Sequence, residues 1–147
     1  MTADEAPRKA FTIAEANAAL PVLARRVARL RELRDEIHRS RELLDVLWGR
    51  LDAGEPVLDA IGGRQAVLDE LGDEFGVLVG EIEASGVVLR DLDPGLVDFP
   101  ALVRGIPIYL CWRAGESAVA FWHSPSEGFA GRKPIASIDE SHGRGPS

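Results

Sequence analysis

Residues 86–134 read GVVLRDLDPGLVDFPALVRGIPIYLCWRAGESAVAFWHSPSEGFAGRKP, and the reading of this stretch decides the fold. Ahead of it apolar residues recur at helical spacing; within it they alternate, the period of a strand. The runs 87–91, 96–99, 106–112 and 117–123 are rich in β-branched and aromatic residues. They are separated by the turn sequences Asp93-Pro94-Gly95, Arg104-Gly105 and Ala114-Gly115. Pro100 ends the second run or marks a sheet edge, because proline cannot donate to a ladder. The stretch holds two of the three tryptophans and the only tyrosine and cysteine, so chemistry is expected here first. Residues 124–134 are Ser, Pro, Gly and charge, hence a loop.

Upstream, Thr12-Ile-Ala-Glu15 fits a capping box and opens a helix over 12–20, which Pro21 is expected to kink or restart. From 21 to 51 a seven-residue spacing places Leu23, Leu30, Ile37, Leu44 and Leu51 in one seam position and Leu20, Val27, Arg34, Arg41 and Trp48 in the other. Arg34 and Arg41 are expected to lay their stems in the seam and reach Glu70, Glu74 or Glu81 on a second helix. Residues 52–56 read as a turn, Gly62-Gly63 as a break, and 64–84 as that second helix, ended by Gly86. Gly72, Gly76 and Gly80 recur on it every fourth residue, each costing roughly 0.5–1 kcal/mol against alanine. The expected fold is α+β: a long antiparallel, coiled-coil-like helical hairpin (12–85) followed by a small antiparallel sheet of three or four strands (86–135). One domain is expected over 11–135, with disordered tails at 1–10 and 136–147.

The segments FTIAEANAALPVL, GVVLRDLDPGLVDFPAL, YLCWRAGE, FWH and GFAGRKPI, in this order from Phe11 to Ile135, resemble the bacterial family of domain of unknown function 2203. The resemblance implies a helical hairpin with a C-terminal β-unit and brings no activity with it, so function is argued from the residues.

A net charge of −7 disfavours nucleic acid and anionic membrane as partners. With one cysteine, no apolar leader in MTADEAPRKA and no membrane-length apolar run, the expectation is a soluble cytoplasmic protein. The hairpin strands 106–112 and 117–123, apolar on both faces, and the seam interrupted by Arg34 and Arg41 predict a homodimer through the helices.

If 114–115 forms a two-residue hairpin loop, Cys111 faces Ala118, and Cys111 and His123 fall on opposite faces, too far apart for a nucleophile and base or a shared metal. Asp98, inside a strand of core-type residues, must find a partner, for which Arg113 is the expected fork. Asp98, Arg113, Trp122 and His123, with Trp112 and Arg132, therefore form the candidate site for a small anionic or aromatic ligand. Asp91, Asp93 and Asp98 have the alternating carboxylates of a hard-cation site, without the glycine and bidentate glutamate of a calcium loop. The leading functional class is a non-enzymatic binding and assembly module of unknown cofactor. The alternative is a small metal-dependent enzyme or metal-binding protein using the Asp/Arg/His cluster.

Overall fold

The computed structural model describes residues 9–138. It comprises α1 (Ile13–Asp52), α2 (Leu58–Ala84) and five strands: β1 (Val88–Asp91), β2 (Leu96–Val103), β3 (Ile106–Arg113), β4 (Phe121–His123) and β5 (Lys133–Pro134). The strands pair in chain order as one antiparallel meander. The α+β fold expected from the sequence is the fold observed, with one strand more. Short 3₁₀ turns occupy Phe129–Gly131 and Ile135–Ser137, and Ile138 is buried, so order runs past residue 135. The remainder of the expected tails, 1–8 and 139–147, lies outside the described residues.

Local chemistry accounts for the start of α1. The Thr12 amide donates to Glu15 Oε1 (2.9 Å) and the Glu15 amide to Thr12 Oγ1 (3.0 Å), a reciprocal capping box. Pro21 does not break the helix. It removes one i→i−4 bond, while Ala16, Leu20, Leu23 and Val27 bury one continuous stripe across it. Beyond Leu30 the buried stripe passes through Leu33, Ser40 and Leu44, not through Arg34, Arg41 and Trp48. The seam has slipped by one residue, so the arginines flank the apolar face instead of interrupting it. In α2, Gly62-Gly63 lies inside the helix, where a Cβ at either position would meet nothing within 4 Å. Burial of the neighbouring Ile61 outweighs a propensity cost of about 1 kcal/mol per glycine.

The described residues form two compact units, Ala28–Glu81 and residues 9–27 with 82–138. In the first, α1 and α2 run antiparallel: Arg29 grips Glu74 through both carboxylate oxygens (2.8 and 3.0 Å). A groove of about 500 Å³ lies between Leu43, Val46 and Leu47 of α1 and Ala60, Gly63 and Val67 of α2.

In the second unit one sheet face, carrying Val97, Phe99, Leu110, Trp112 and Trp122, is buried. Phe11 meets Phe99 edge-on, with ring centroids 5.2 Å apart. Pro100 does not end β2. β1 pairs only with Leu96, Val97 and Asp98, so at Pro100 that side of β2 is open, and the Phe11 amide donates to the Pro100 carbonyl there (2.7 Å). The proline nitrogen points the same way, so no ladder bond is lost. Arg104 (φ 54°) and Gly105 (φ 80°) close the β2–β3 hairpin, as their sequence leads one to expect, with both central residues in the left-handed region.

The β3–β4 connection departs from the two-residue loop. Cys111 pairs with Phe121, not Ala118, a register displaced by three residues. An odd displacement exchanges the faces of every β4 side chain. Residues 114–120 are held off the ladder by specific bonds: the Trp112 indole donates to the Glu116 carbonyl (2.9 Å), the Arg113 amide to Glu116 Oε1 (2.8 Å) and the Val119 amide to Asn17 Oδ1 (2.8 Å).

Candidate functional site

The corrected register brings Asp98 of β2, Tyr109 and Cys111 of β3, and Phe121 and His123 of β4 onto one face, opposite the tryptophans. Asp98 sits directly across from Cys111, and His123 across from Tyr109. Cys111 and His123, expected on opposite faces, are therefore neighbours. Asp98, Cys111 and His123 are 2%, 0% and 3% exposed. One ligand-type atom from each lies within 4.8 Å of the others, the one such group of three among the described residues.

Asp98 Oδ2 accepts from Arg90 Nε (2.8 Å) and lies 3.0 Å from His123 Nε2. His123 Nδ1 lies 2.8 Å from the Ser124 carbonyl oxygen; since a carbonyl only accepts, Nδ1 carries a proton. Asp98 Oδ1 is buried without a hydrogen-bond partner. Arg90 stands where the β1–β2 register shifts between Leu89 and Asp91. A bulge of this kind re-aims a side chain, here laying the guanidinium 4.8 Å above the Tyr109 ring. Burial works against the Arg90 charge, but Asp98 and Tyr109 outweigh it and raise its pKa.

Of the residues picked from sequence, Asp98 and His123 meet. Arg113, exposed at the end of β3, is not the partner of Asp98; Arg90 is, because the β1–β2 pairing sets it beside that strand. Trp112 and Trp122 belong to the core face, Trp122 donating to Ser137 Oγ (3.1 Å) with Lys133 Nζ 4.9 Å from its ring centre. Arg132 lies against the Phe121 ring (4.0 Å) and the Phe129 ring (4.5 Å), pairs doubly with Glu116 (2.9 and 3.0 Å) and donates to the Cys111 carbonyl (3.3 Å). It clasps the 124–134 segment against β3 and β4. Glu116 is held below the usual carboxylate range: burial pushes it up, but Arg132 and the Arg113 amide prevail. Asp91 and Asp93 do not join Asp98. Asp91 Oδ1 accepts the Asp93 amide (3.0 Å), which makes the pair part of the turn.

Sequence reasoning missed Arg90 and set Cys111 aside. Arg90 was signalled by its alternation with Val88, which pairs with Asp98; Cys111 was hidden by the register. The arrangement does not suit nucleophilic catalysis. Both His123 nitrogens are directed elsewhere, and burial, with Asp98 adding to it, pushes the Cys111 thiol up to about 12. It does suit holding a cation: a carboxylate, an oriented imidazole and a thiol converge from three adjacent strands.

Among the described residues no helix is long and apolar enough to cross a membrane. The family model described as "Uncharacterized conserved protein (DUF2203)" matches residues 9–135, and the chain belongs to this family. Neither the curated proteins nor the solved structures yield a match.

Proposed function

We propose that this DUF2203 protein is a non-enzymatic binding and assembly module, its β-unit holding a small ligand at the face of Asp98, Cys111 and His123. One observation carries the reading: Asp98 Oδ1 is buried without a partner beside two other buried ligand-type side chains. An unsatisfied buried carboxylate oxygen costs free energy that a bound group would recover. The single buried thiol fits a reducing cytoplasm.

Self-association through the hairpin is supported by a different observation. Leu43, Val46, Trp48, Leu58, Val67 and Val77 are between 39% and 63% exposed, and a two-helix unit has no third layer to cover them. The occupant that fits is a second copy. α2 carries seven carboxylates against one arginine, while α1 presents exposed Arg39 and Arg41, so an α1 laid on a neighbouring α2 matches charge as well as apolar surface. Native mass spectrometry of untagged protein tests both parts. The expected result is twice the 15.9 kDa chain mass, with a retained non-covalent mass that Asp98→Asn loses. A monomer at micromolar concentration contradicts the assembly; bare chains contradict the binding.

A further inference from the structure

His123 is held as a metal-ligating histidine is held. Its Nδ1–H donates to the Ser124 carbonyl at 2.8 Å, which leaves the Nε2 lone pair aimed at Asp98. Fixing one ring nitrogen on a backbone carbonyl is how proteins orient the other toward a metal. The Asp98 oxygen that Nε2 meets, Oδ2, is also an acceptor. Two lone-pair atoms 3.0 Å apart need a cation between them, either a proton or a metal ion. Ligands about 2.0–2.1 Å from a tetrahedral zinc are separated by roughly 3.3 Å, so this spacing needs only a few tenths of an ångström of opening.

The neighbouring groups favour the metal. A proton shared by Asp98 and His123 satisfies Nε2 and Oδ2 and leaves the rest of the carboxylate only the Cys111 thiol, a weak donor, with Oδ1 in no hydrogen bond, whereas a metal can draw on either carboxylate oxygen. Cys111, directly across from Asp98, adds a soft sulfur donor. An oxygen, nitrogen and sulfur set excludes calcium and magnesium, which take oxygen ligands, and matches zinc. Near-complete burial of all three side chains admits an ion more readily than an organic molecule. The surroundings resemble an outer shell: Arg90 hydrogen-bonds the carboxylate, and Arg132 holds the Cys111 carbonyl.

We propose that Asp98, Cys111 and His123 bind one divalent transition-metal ion of the zinc class, with Ser124 and Arg90 orienting its imidazole and carboxylate ligands. This rests on the reading of the β-unit as the binding site and names its ligand. Three protein ligands leave a fourth tetrahedral position, the arrangement in which zinc keeps a water or takes an exogenous ligand.

The test is a cobalt(II) titration of the full-length, untagged, metal-stripped protein, followed by displacement with zinc. The expected result is one cobalt per chain with tetrahedral d–d bands and a thiolate-to-cobalt charge-transfer band. Cys111→Ser should lose that band, and His123→Gln should weaken cobalt binding by about 100-fold or more. Thermal melts establish that the variants fold. Should His123→Gln fail to fold, Cys111→Ser alone carries the result, because the band requires sulfur. Absence of saturable cobalt or zinc uptake at micromolar concentration, or a charge-transfer band that survives Cys111→Ser, overturns the proposal. If cobalt does not bind but native mass spectrometry shows an organic mass lost in Asp98→Asn, the metal falls and the binding reading stands. If neither ligand is found, both fall.

Discussion

Replacing Arg90 with methionine is expected to destabilise the metal-free protein by about 3–5 kcal/mol, more than Asp98→Asn, for which about 1–2 kcal/mol is expected. The asymmetry follows from burial. The Arg90 side chain is 42% exposed and that of Asp98 only 2%. Without Arg90 the carboxylate is stranded among β-sheet side chains, with Oδ1 already unpartnered and His123 alone against Oδ2. An uncompensated buried charge is the costly half of a broken pair. With asparagine at position 98 the shape is kept, the charge is gone, and Arg90 can turn to water. Urea unfolding of both variants at pH 7 in the presence of a chelator measures the difference. Equal losses, or a larger loss for Asp98→Asn, would mean that the arginine does not neutralise the carboxylate.

The stability of the metal-free protein, measured with a chelator present, should also fall steeply in alkali because of one thiol. Cys111 is raised from 9.0 to about 12, burial first and Asp98 second. Below pH 9 the thiol is protonated in folded and unfolded chains alike, so its contribution is fully present. Between pH 9 and 12 the unfolded chain releases the proton and the folded chain keeps it, so the unfolded state binds fewer protons and stability falls as pH rises. The slope for one group is about 1.4 kcal/mol per pH unit. Cys111→Ser cannot ionise there, and the difference between wild type and variant cancels other groups titrating in that range. Between pH 9 and 11 the variant should gain about 2–3 kcal/mol on the wild type. A difference independent of pH would show that the thiol ionises as easily in the fold as outside it.

How much of this could be read from the chain depended on the range of the interactions involved. The capping box at Thr12 and Glu15 and the turn at Arg104-Gly105 are completed within a few residues, and both stand as read. Pro21 and Gly62-Gly63 looked like breaks because propensity weighs each position alone, whereas the buried stripes of α1 and α2 run through them. Leu33 and Ser40 replaced Arg34 and Arg41 on the buried stripe because a seven-residue count does not register a one-residue slip. Asp98 announced itself as a carboxylate among core residues. Its companions did not, since the β3–β4 register depends on Val119 bonding Asn17, a contact 102 positions apart in sequence. No local pattern encodes that distance, and with the register went the nearness of Cys111 to His123.

X-ray absorption at the zinc edge, on protein expressed in zinc-supplied cells and purified without a tag, addresses the metal site most directly. About one zinc per chain is expected, with a single sulfur at about 2.3 Å and nitrogen or oxygen ligands at about 2.0–2.1 Å. Zinc surrounded by nitrogen and oxygen alone, or protein that emerges without metal, would contradict the proposed site.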